Sequence, residues 1–512
     1  MIAAMTADLT LSIIDAIGHG DFRQAEALCR DLARRGEAGE ADYLLAVVRR
    51  AQGRLDKALA LLRKAAAARP ERADIAYNYG VVLCETGHID DAIAAWRRSL
   101  TLEPGHQDAM YNLALALGGQ GVGETTEAEA LYTALLTRDP DHREARFNLG
   151  NLFYRTGAFD RAALTFGALA MQEPGLARGL INYGMAMKAL GRDGDAETGY
   201  RGAIGREPGS VQAHWNLAVL LLSQGRWREG LEEFEWRLGL PGVPHPDWGV
   251  PPWRGDEAAG TRVLVWNDHG RGDAIQFLRY VGPMAARGQR VFVQVQEGLK
   301  RLAATAPGVE RALGPDDPLP AFDAHAPLLS LPRLLGRDDP AESWPGAYLR
   351  AEPGFAAGGR PAVGLVWAGN PAHGNDANRS VALADLAPLL ARDGIHWVSL
   401  QVGAANAQLA ASPWAGRVQA PEFKDFADTA AAIRGLDLVI AVDTAVAHLA
   451  GALDVPAWVL VPAIGTDWRW GRAGETTPWY PRMRLFRQQA AGAWSPVIKR
   501  MAEELSGLFP AR

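Results

Sequence analysis

Two kinds of apolar patterning divide this chain. Up to about residue 240, helix-length segments come in pairs, and each pair closes on a proline: Pro70, Pro104, Pro140, Pro174 and Pro208. Proline cannot continue a helix, so each marks the turn between one hairpin and the next. Gly53, Gly87, Gly157, Gly191 and Gly225 sit in the turns inside the hairpins, and Ala58, Ala92, Ala162 and Ala196 follow where two helices must approach closely. Leu62, Trp96, Phe166, Tyr200 and Phe234 fill the space between neighbouring hairpins. From residue 261 short apolar runs replace this pattern. Strands are expected at 262–266, 291–295, around 322–323, and at 362–367, 396–400, 438–442 and 457–461. They alternate with helices such as 274–286, which indicates parallel sheets in two successive sets, with ligands beyond the carboxyl ends of the strands. A final helix at 496–508 is expected to cross back over the first set.

The first half carries a repeat. Asn78, Asn112, Asn148, Asn182 and Asn216 follow one another at 34, 36, 34 and 34 residues, each inside a near-identical tetrapeptide such as Tyr77-Asn78-Tyr79-Gly80 or Phe147-Asn148-Leu149-Gly150. A fixed period of this length marks a stacked array of helical hairpins, with the asparagines at equivalent positions. An asparagine side chain offers both a donor and an acceptor, so a column of them can hold an extended peptide backbone without reading its side chains. The alternative is that each amide bonds only within its own or the next helix. The column stops upstream at Leu44, and the two-residue excess of the 36-residue unit is placed in the 118–126 loop.

Composition narrows the setting. The 512 residues suffice for two or three domains, the hydrophobic share is 48%, and the net charge of −6 comes without a basic run, which disfavours a nucleic-acid or anionic-membrane partner. The two cysteines, Cys29 and Cys84, lie in helical segments and are expected to be core residues of a protein in a reducing compartment. Asp8 and Asp15 stand where a signal peptide would be basic and then apolar, and no stretch reaches about 18 apolar residues. The expected location is the cytoplasm. Residues 241–260, with Pro241, Pro244, Pro246, Pro251, Pro252, Trp248 and Trp253, form a stiff linker or a strap on the following domain.

Three motifs in the second half can carry chemistry. In the first, Gly270 to Gln276, Gly272 permits close approach of a ligand and Asp273 stands at a helix start, as a cleft base for an acceptor hydroxyl or as a cap. In the second, Asp443 and Thr444 open a helix whose free amides at Thr444, Ala445 and Val446 suit a diphosphate, with His448 one turn on as a phosphate or ribose contact or as a packed residue. The third, after the strand ending in Trp367, holds Asn370, His373, Asn375, Asp376 and Arg379, of which Arg379 is the anion contact of choice or else a solvated loop residue. Trp468, Trp470, Trp479 and Tyr480 line a sugar or base pocket or, the favoured alternative, pack the core.

The first half resembles the tetratricopeptide repeat, whose first helices line a concave face. Its asparagine column is similar to the ladder of the eukaryotic O-linked N-acetylglucosamine transferase. Residues 261 to about 490 resemble the catalytic part of bacterial tetratricopeptide-linked glycosyltransferases, itself similar to lipopolysaccharide heptosyltransferases. The matching residues are Gly272-Asp273; Asp443, Thr444, His448 and Leu449; Phe322-Asp323 with 327–332; and 367–370. A Glu-Gln pair common in that subgroup is Asp268-His269 here.

The resemblance implies an α-helical repeat superhelix at 1–240, the segment 241–260, and two Rossmann-like lobes of GT-B type. The acceptor lobe would span 261–357 and the nucleotide-sugar lobe 358–512. It implies an inverting transferase with Asp273 as base and no cofactor beyond the nucleotide-sugar co-substrate. Donor contacts would come from Gly272, Asn370, Arg379, Asp443, Thr444, Ala445, Val446 and His448. No metal is expected, and no Asp-x-Asp motif occurs between 261 and 512. The acceptor would be a Ser or Thr of a polypeptide held by the asparagine column, flagellin being the first guess because proteins of this layout are associated with its glycosylation. Alternatives are an adaptor whose lobes are idle, and a transferase for lipopolysaccharide or another glycan.

Overall fold

The computed structural model describes residues 2–119, 124–354 and 359–510. Part of the 118–126 loop and the expected lobe boundary at 357/358 lie outside them. The chain forms two compact units, Met1–Pro208 and Gly209–Arg512.

Twelve helices among the described residues build the first unit, from Ile2–Gly18 to Asp193–Arg206, in six hairpins. The small residues explain the spacing. A β-carbon at Gly80 would lie 2.6 Å from the Trp96 indole nitrogen, and one at Gly150 would lie 2.5 Å from the Phe166 ring, so glycine is what admits the aromatic side chain. Ala58, Ala92, Ala162 and Ala196 are fully buried beneath these large residues. Such nearest-neighbour packing is what holds a repeat array together. Cys29 is buried and Cys84 half-buried, and both are free thiols.

The second unit opens with one more hairpin, Val211–Ser223 and Trp227–Phe234, and a 3₁₀ turn, Glu235–Gly239. The expected array boundary at 240 would leave this hairpin with the repeats. Its buried Ala218, Leu222, Leu231 and Phe234 also share one core with the sheets that follow. The segment 241–260 is a strap: Trp253 is 2% exposed, its backbone N–H donates to the His325 carbonyl at 2.7 Å, and Trp248 packs edge-on against Trp266 and Phe322.

Two parallel sheets follow. The first has β1 (Arg262–Trp266), β2 (Arg290–Gln294), β3 (Val309–Leu313) and β4 (Ala324–Pro327) in the order β3-β2-β1-β4. The second has β5 (Ala362–Val366), β6 (His396–Ser399), β7 (Val418–Gln419), β8 (Leu438–Val442), β9 (Ala457–Val461) and β10 (Met483–Arg487) in the order β10-β9-β8-β5-β6-β7. All pairings are parallel, β1 running beside β2 from Arg262↔Arg290 to Trp266↔Gln294. The sequence pattern does not mark β3, β7 or β10. The outer strands β3, β7 and β10 are half-covered and carry charged or polar residues such as Glu310, Arg311 and Arg484, which blunts the apolar signal.

Three expectations need correction. The strand expected around 322–323 starts at Ala324, because the Asp323 carboxylate is occupied by the Arg262 N–H and guanidinium at the strand entry. The helix expected over 274–286 is Arg271–Phe277, a 3₁₀ turn, then Val281–Ala286; Pro283 has no N–H to continue the helical ladder across the break. The last helix, Ser495–Leu508, covers the second sheet and not the first. Its Val497, Ile498, Met501 and Leu505 pack with Trp367, Trp397 and Phe486, since the chain has just left the edge strand β10.

Candidate functional site

An open parallel sheet binds ligands where its strand order reverses. In the first sheet that point lies between β1 and β4, and it is filled. Asp268, directly beyond β1, is 5% exposed and accepts from Arg237 Nε at 2.7 Å, and Arg237 donates also to Ser330 Oγ at 2.8 Å and Glu235 at 2.9 Å. Burial works against the Asp268 charge, yet His269 and Arg237 hold its carboxyl below the ordinary range. His269 packs near Trp215 and Phe234 of the hairpin. The Asp268-His269 pair is therefore a clamp between the last hairpin and the first sheet.

In the second sheet the reversal lies between β5 and β8, and here the predicted residues meet. The loop after β5 folds back so that Arg379 donates to Asp376 Oδ1 at 3.1 Å and to the Asp443 carbonyl, just beyond β8, at 3.1 Å. Gly369 makes room, since a β-carbon there would lie 2.3 Å from Asp376 Oδ1. Asn375 ties this loop to the one after β9 by donating to the carbonyls of Ile464 and Gly465 at 3.1 and 3.0 Å. Asn370 and His373 are both exposed, Asn370 accepting from the Ala372 N–H within its own loop. Partial desolvation of the ring, and then the nearby Arg379 charge, lower the His373 pKa.

The start of the Arg271–Phe277 helix packs on the start of the Ala445–Ala452 helix. A β-carbon at Gly272 would lie 3.0 Å from His448 Cδ2 and 3.5 Å from Ala445 Cα. Of the two roles weighed for Asp273, the structure shows the cap: Oδ2 accepts the Gly270 N–H at 3.0 Å, while Oδ1 pairs with Arg469, which comes from the loop after β9. Arg469 is 4% exposed and also bonds Gln276 and both oxygens of Asp467, at 3.1 Å each.

Charge is unevenly shared there. Burial, reinforced by the neighbouring Asp467, raises the Asp443 pKa. Asp467 is held low against burial by Arg469. Thr444 caps the helix with its backbone; its buried hydroxyl has no hydrogen-bond partner among the described residues, and Val446 is buried. His448 is 6% exposed, stacked on Trp470 and bonded through Nδ1 to the Tyr480 hydroxyl at 3.1 Å. Burial, then the Arg469 charge, lowers its pKa to about 3, so it is neutral. Trp468, Trp470, Trp479 and Tyr480 are all at most 4% exposed and pack the core.

Arg469, Asp467 and Gln276 were not singled out from sequence. Arg469 lies inside the tryptophan-rich stretch, and its only signal is position in the loop after an apolar strand.

In the first unit the asparagine column has partners. Asn78 Nδ2 donates to the Tyr43 hydroxyl at 3.0 Å and to the Asp74 carbonyl at 2.9 Å. Asn112 and Asn148 donate to Tyr77 and Tyr111 at 3.3 and 3.1 Å. Each tyrosine immediately precedes the column position of the preceding repeat. At the corresponding places before Asn182 and Asn216 the sequence has Phe147 and Ile181, which offer no hydroxyl. Among the described residues the Asn182 side chain makes no hydrogen bond. Asn216, in the second unit, accepts from Gln212 at 3.0 Å while its buried Nδ2 is unpartnered. Asn112 also lines a groove of about 500 Å³ with Val81, Cys84, Glu85, Trp96 and Leu115.

A tetratricopeptide-repeat family model matches residues 12–73, 77–121, 120–175 and 188–235, and a second model of the same repeat matches 49–98. Among curated proteins the chain is similar to Protein FlbA of Caulobacter vibrioides, 29% identical over 343 residues that cover 59% of this chain and 56% of the relative. The chain thus spans little more than half the length of that relative. Among solved structures it is similar to YrrB, described as a TPR protein with an unusual peptide-binding site (22% identity, 36% of this chain and 94% of that one, TM-score 0.34). It is also similar to MamA (21%, 32% and 95%, TM-score 0.31) and to the type IV pilus biogenesis factor PilW (23%, 41% and 96%, TM-score 0.34). No helix among the described residues is long and apolar enough to cross a membrane. The helical hairpins are tetratricopeptide repeats, and they precede two all-parallel α/β sheets.

Proposed function

We propose that the second unit is a metal-independent, inverting glycosyltransferase of GT-B type that moves a sugar from a nucleotide-sugar donor to a Ser or Thr hydroxyl of a polypeptide carried by the repeats. One observation carries this reading: of the two strand-order reversals, one is filled by Arg237, whereas at the other Arg379, the Ala445–Ala452 helix start and the Asp273 carboxylate converge. The donor diphosphate, an anion, suits Arg379 and the positive helix end. The acceptor oxygen would attack the anomeric carbon as the nucleoside diphosphate leaves, and its proton would pass to Asp273. For that, Asp273 Oδ1 must exchange Arg469 for the hydroxyl, while Arg469 keeps Asp467.

The engagement of both Asp273 oxygens favours a second reading, an adaptor with an idle cleft. Co-expression with candidate acceptors, flagellin first, followed by intact-mass measurement, separates the two. A sugar-sized increment that disappears with Asp273→Ala, while calorimetry still registers nucleotide-sugar binding, supports transfer. An increment that persists in Asp273→Ala removes Asp273 as base, and no binding of any nucleotide sugar favours the adaptor.

A further inference from the structure

His448 is held from two sides. Gly451, three residues further along the same helix, lets the Tyr480 ring lie flat on that helix; a β-carbon at Gly451 would sit 2.3 Å from the ring. The approach brings the Tyr480 hydroxyl to 3.1 Å from His448 Nδ1. On the other side Trp470 stacks on the imidazole, with centroids 5.1 Å apart and planes at 16°. Tyr480 is itself one wall of an aromatic box around Arg279. The Arg279 guanidinium carbon lies 4.8 Å from the Tyr480 ring, 5.1 Å from Tyr348 and 5.2 Å from Trp344 and Trp479. Arg279 is 2% exposed and is anchored by donating to the Trp479 carbonyl at 3.0 Å. Nε2 of His448 makes no hydrogen bond among the described residues, and it is close enough to Gly272 that a β-carbon there would lie 3.7 Å away.

We propose that Tyr480, backed by Arg279, is a positioning residue that donates its hydroxyl proton to His448 Nδ1. This fixes the imidazole in the tautomer whose N–H is on Nε2, a hydrogen-bond donor on the Gly272 side of the ring. A neutral imidazole carries one donor and one acceptor nitrogen, so a donor at Nδ1 settles both. The Arg279 charge over the ring draws electron density from the phenol and strengthens it as a donor. Burial keeps Tyr480 protonated, and it keeps His448 neutral together with the Arg469 charge. Trp470 touches only the ring face, and Tyr348, which also faces the Tyr480 hydroxyl, donates its own proton to the Gln276 carbonyl. The part of the ligand rests on the proposed function: the Nε2–H would meet an oxygen of the donor diphosphate.

The test is histidine-selective ¹⁵N NMR on the full chain, with His448→Gln assigning the resonance. The wild type should hold the Nε2–H tautomer from about pH 5.5 to 8. Tyr480→Phe should turn it into a mixture of tautomers, and Gly451→Ala, which pushes the ring away, should do the same. Inorganic pyrophosphate should shift the Nε2 resonance in the wild type and bind about tenfold more weakly to Tyr480→Phe. An Nδ1–H tautomer or a charged imidazole in the wild type overturns the proposal, without recourse to any variant. So does an unchanged tautomer in Tyr480→Phe. If the tautomers respond as expected while neither pyrophosphate nor any nucleotide sugar binds the wild type, the positioning role stands and the glycosyltransferase reading falls.

Discussion

His448 makes stability depend on pH in a known direction. Its folded pKa is depressed to about 3 by burial and then by Arg469, whereas an unfolded histidine titrates near 6.5. Between those values the unfolded chain binds a proton that the folded one refuses. The contribution is therefore complete above about pH 6.5 and is lost as pH falls toward 3, at about 1.4 kcal/mol per pH unit. Denaturant unfolding at pH 7 and pH 5 should show this slope, and His448→Gln should remove it; equal slopes in both proteins would mean the imidazole titrates alike folded and unfolded. At this scale the residues singled out from sequence, His448, Asp273 and Arg379, lie on elements that the fold brings together: Gly272 packs on His448, and Arg379 reaches the Asp443 carbonyl. It left Arg469 hidden, because a cation between tryptophans looks like a core edge until the loop after β9 is folded over Asp273. The tyrosines bonded to Asn78, Asn112 and Asn148 stand in plain sight in the repeat. Their role follows only once successive hairpins are stacked, which brings residues about 35 positions apart into contact.

At the scale of elements, the most exacting contact is the buried Arg237–Asp268 pair, with both side chains fully buried. Removing Arg237 leaves the Asp268 carboxylate buried, with His269 as its only ion-pair partner among the described residues. Arg237→Met alone should cost about 3–5 kcal/mol in the second unit, while Arg237→Met with Asp268→Asn should recover most of the loss. Chemical denaturation of the three proteins checks this, and an additive double variant would mean the two side chains are not coupled. The strands legible from sequence were β1, β2, β5, β6, β8 and β9, whose runs are largely apolar and largely buried. The edge strands β3, β7 and β10 mix charged or polar residues with apolar ones and so escape a search for such runs. The displaced last helix has a similar cause. Its apolar stripe fits either sheet, and only the position of β10 at the edge decides which one it covers.

For the whole molecule, the division at Pro208/Gly209 makes the seventh hairpin part of the sheet-bearing unit. A fragment beginning at Gly209 should unfold cooperatively and stay soluble. One beginning at Pro241 should expose the apolar surface that Leu222, Leu231 and Phe234 cover and leave Asp268 without Arg237. Size-exclusion profiles and thermal unfolding of the two fragments distinguish these outcomes, and equal behaviour would mean the hairpin is dispensable. The repeat character of the first half was legible almost completely, because a period repeated several times averages out local irregularity. The hairpin at 211–234 carries the same signature as the six before it, so its shared core with the sheets shows only in the fold. The tyrosine bonds in the first unit have a different kind of consequence. At Asn78 both amide protons are already spent, on Tyr43 and on a main-chain carbonyl, so only the side-chain oxygen is left to offer. A rung of that kind can greet a guest's N–H but has nothing to give a carbonyl. Proline is the one residue with no N–H to present. Were a peptide held there, a proline opposite Asn78 would leave that one rung without a partner, whatever the side chains around it.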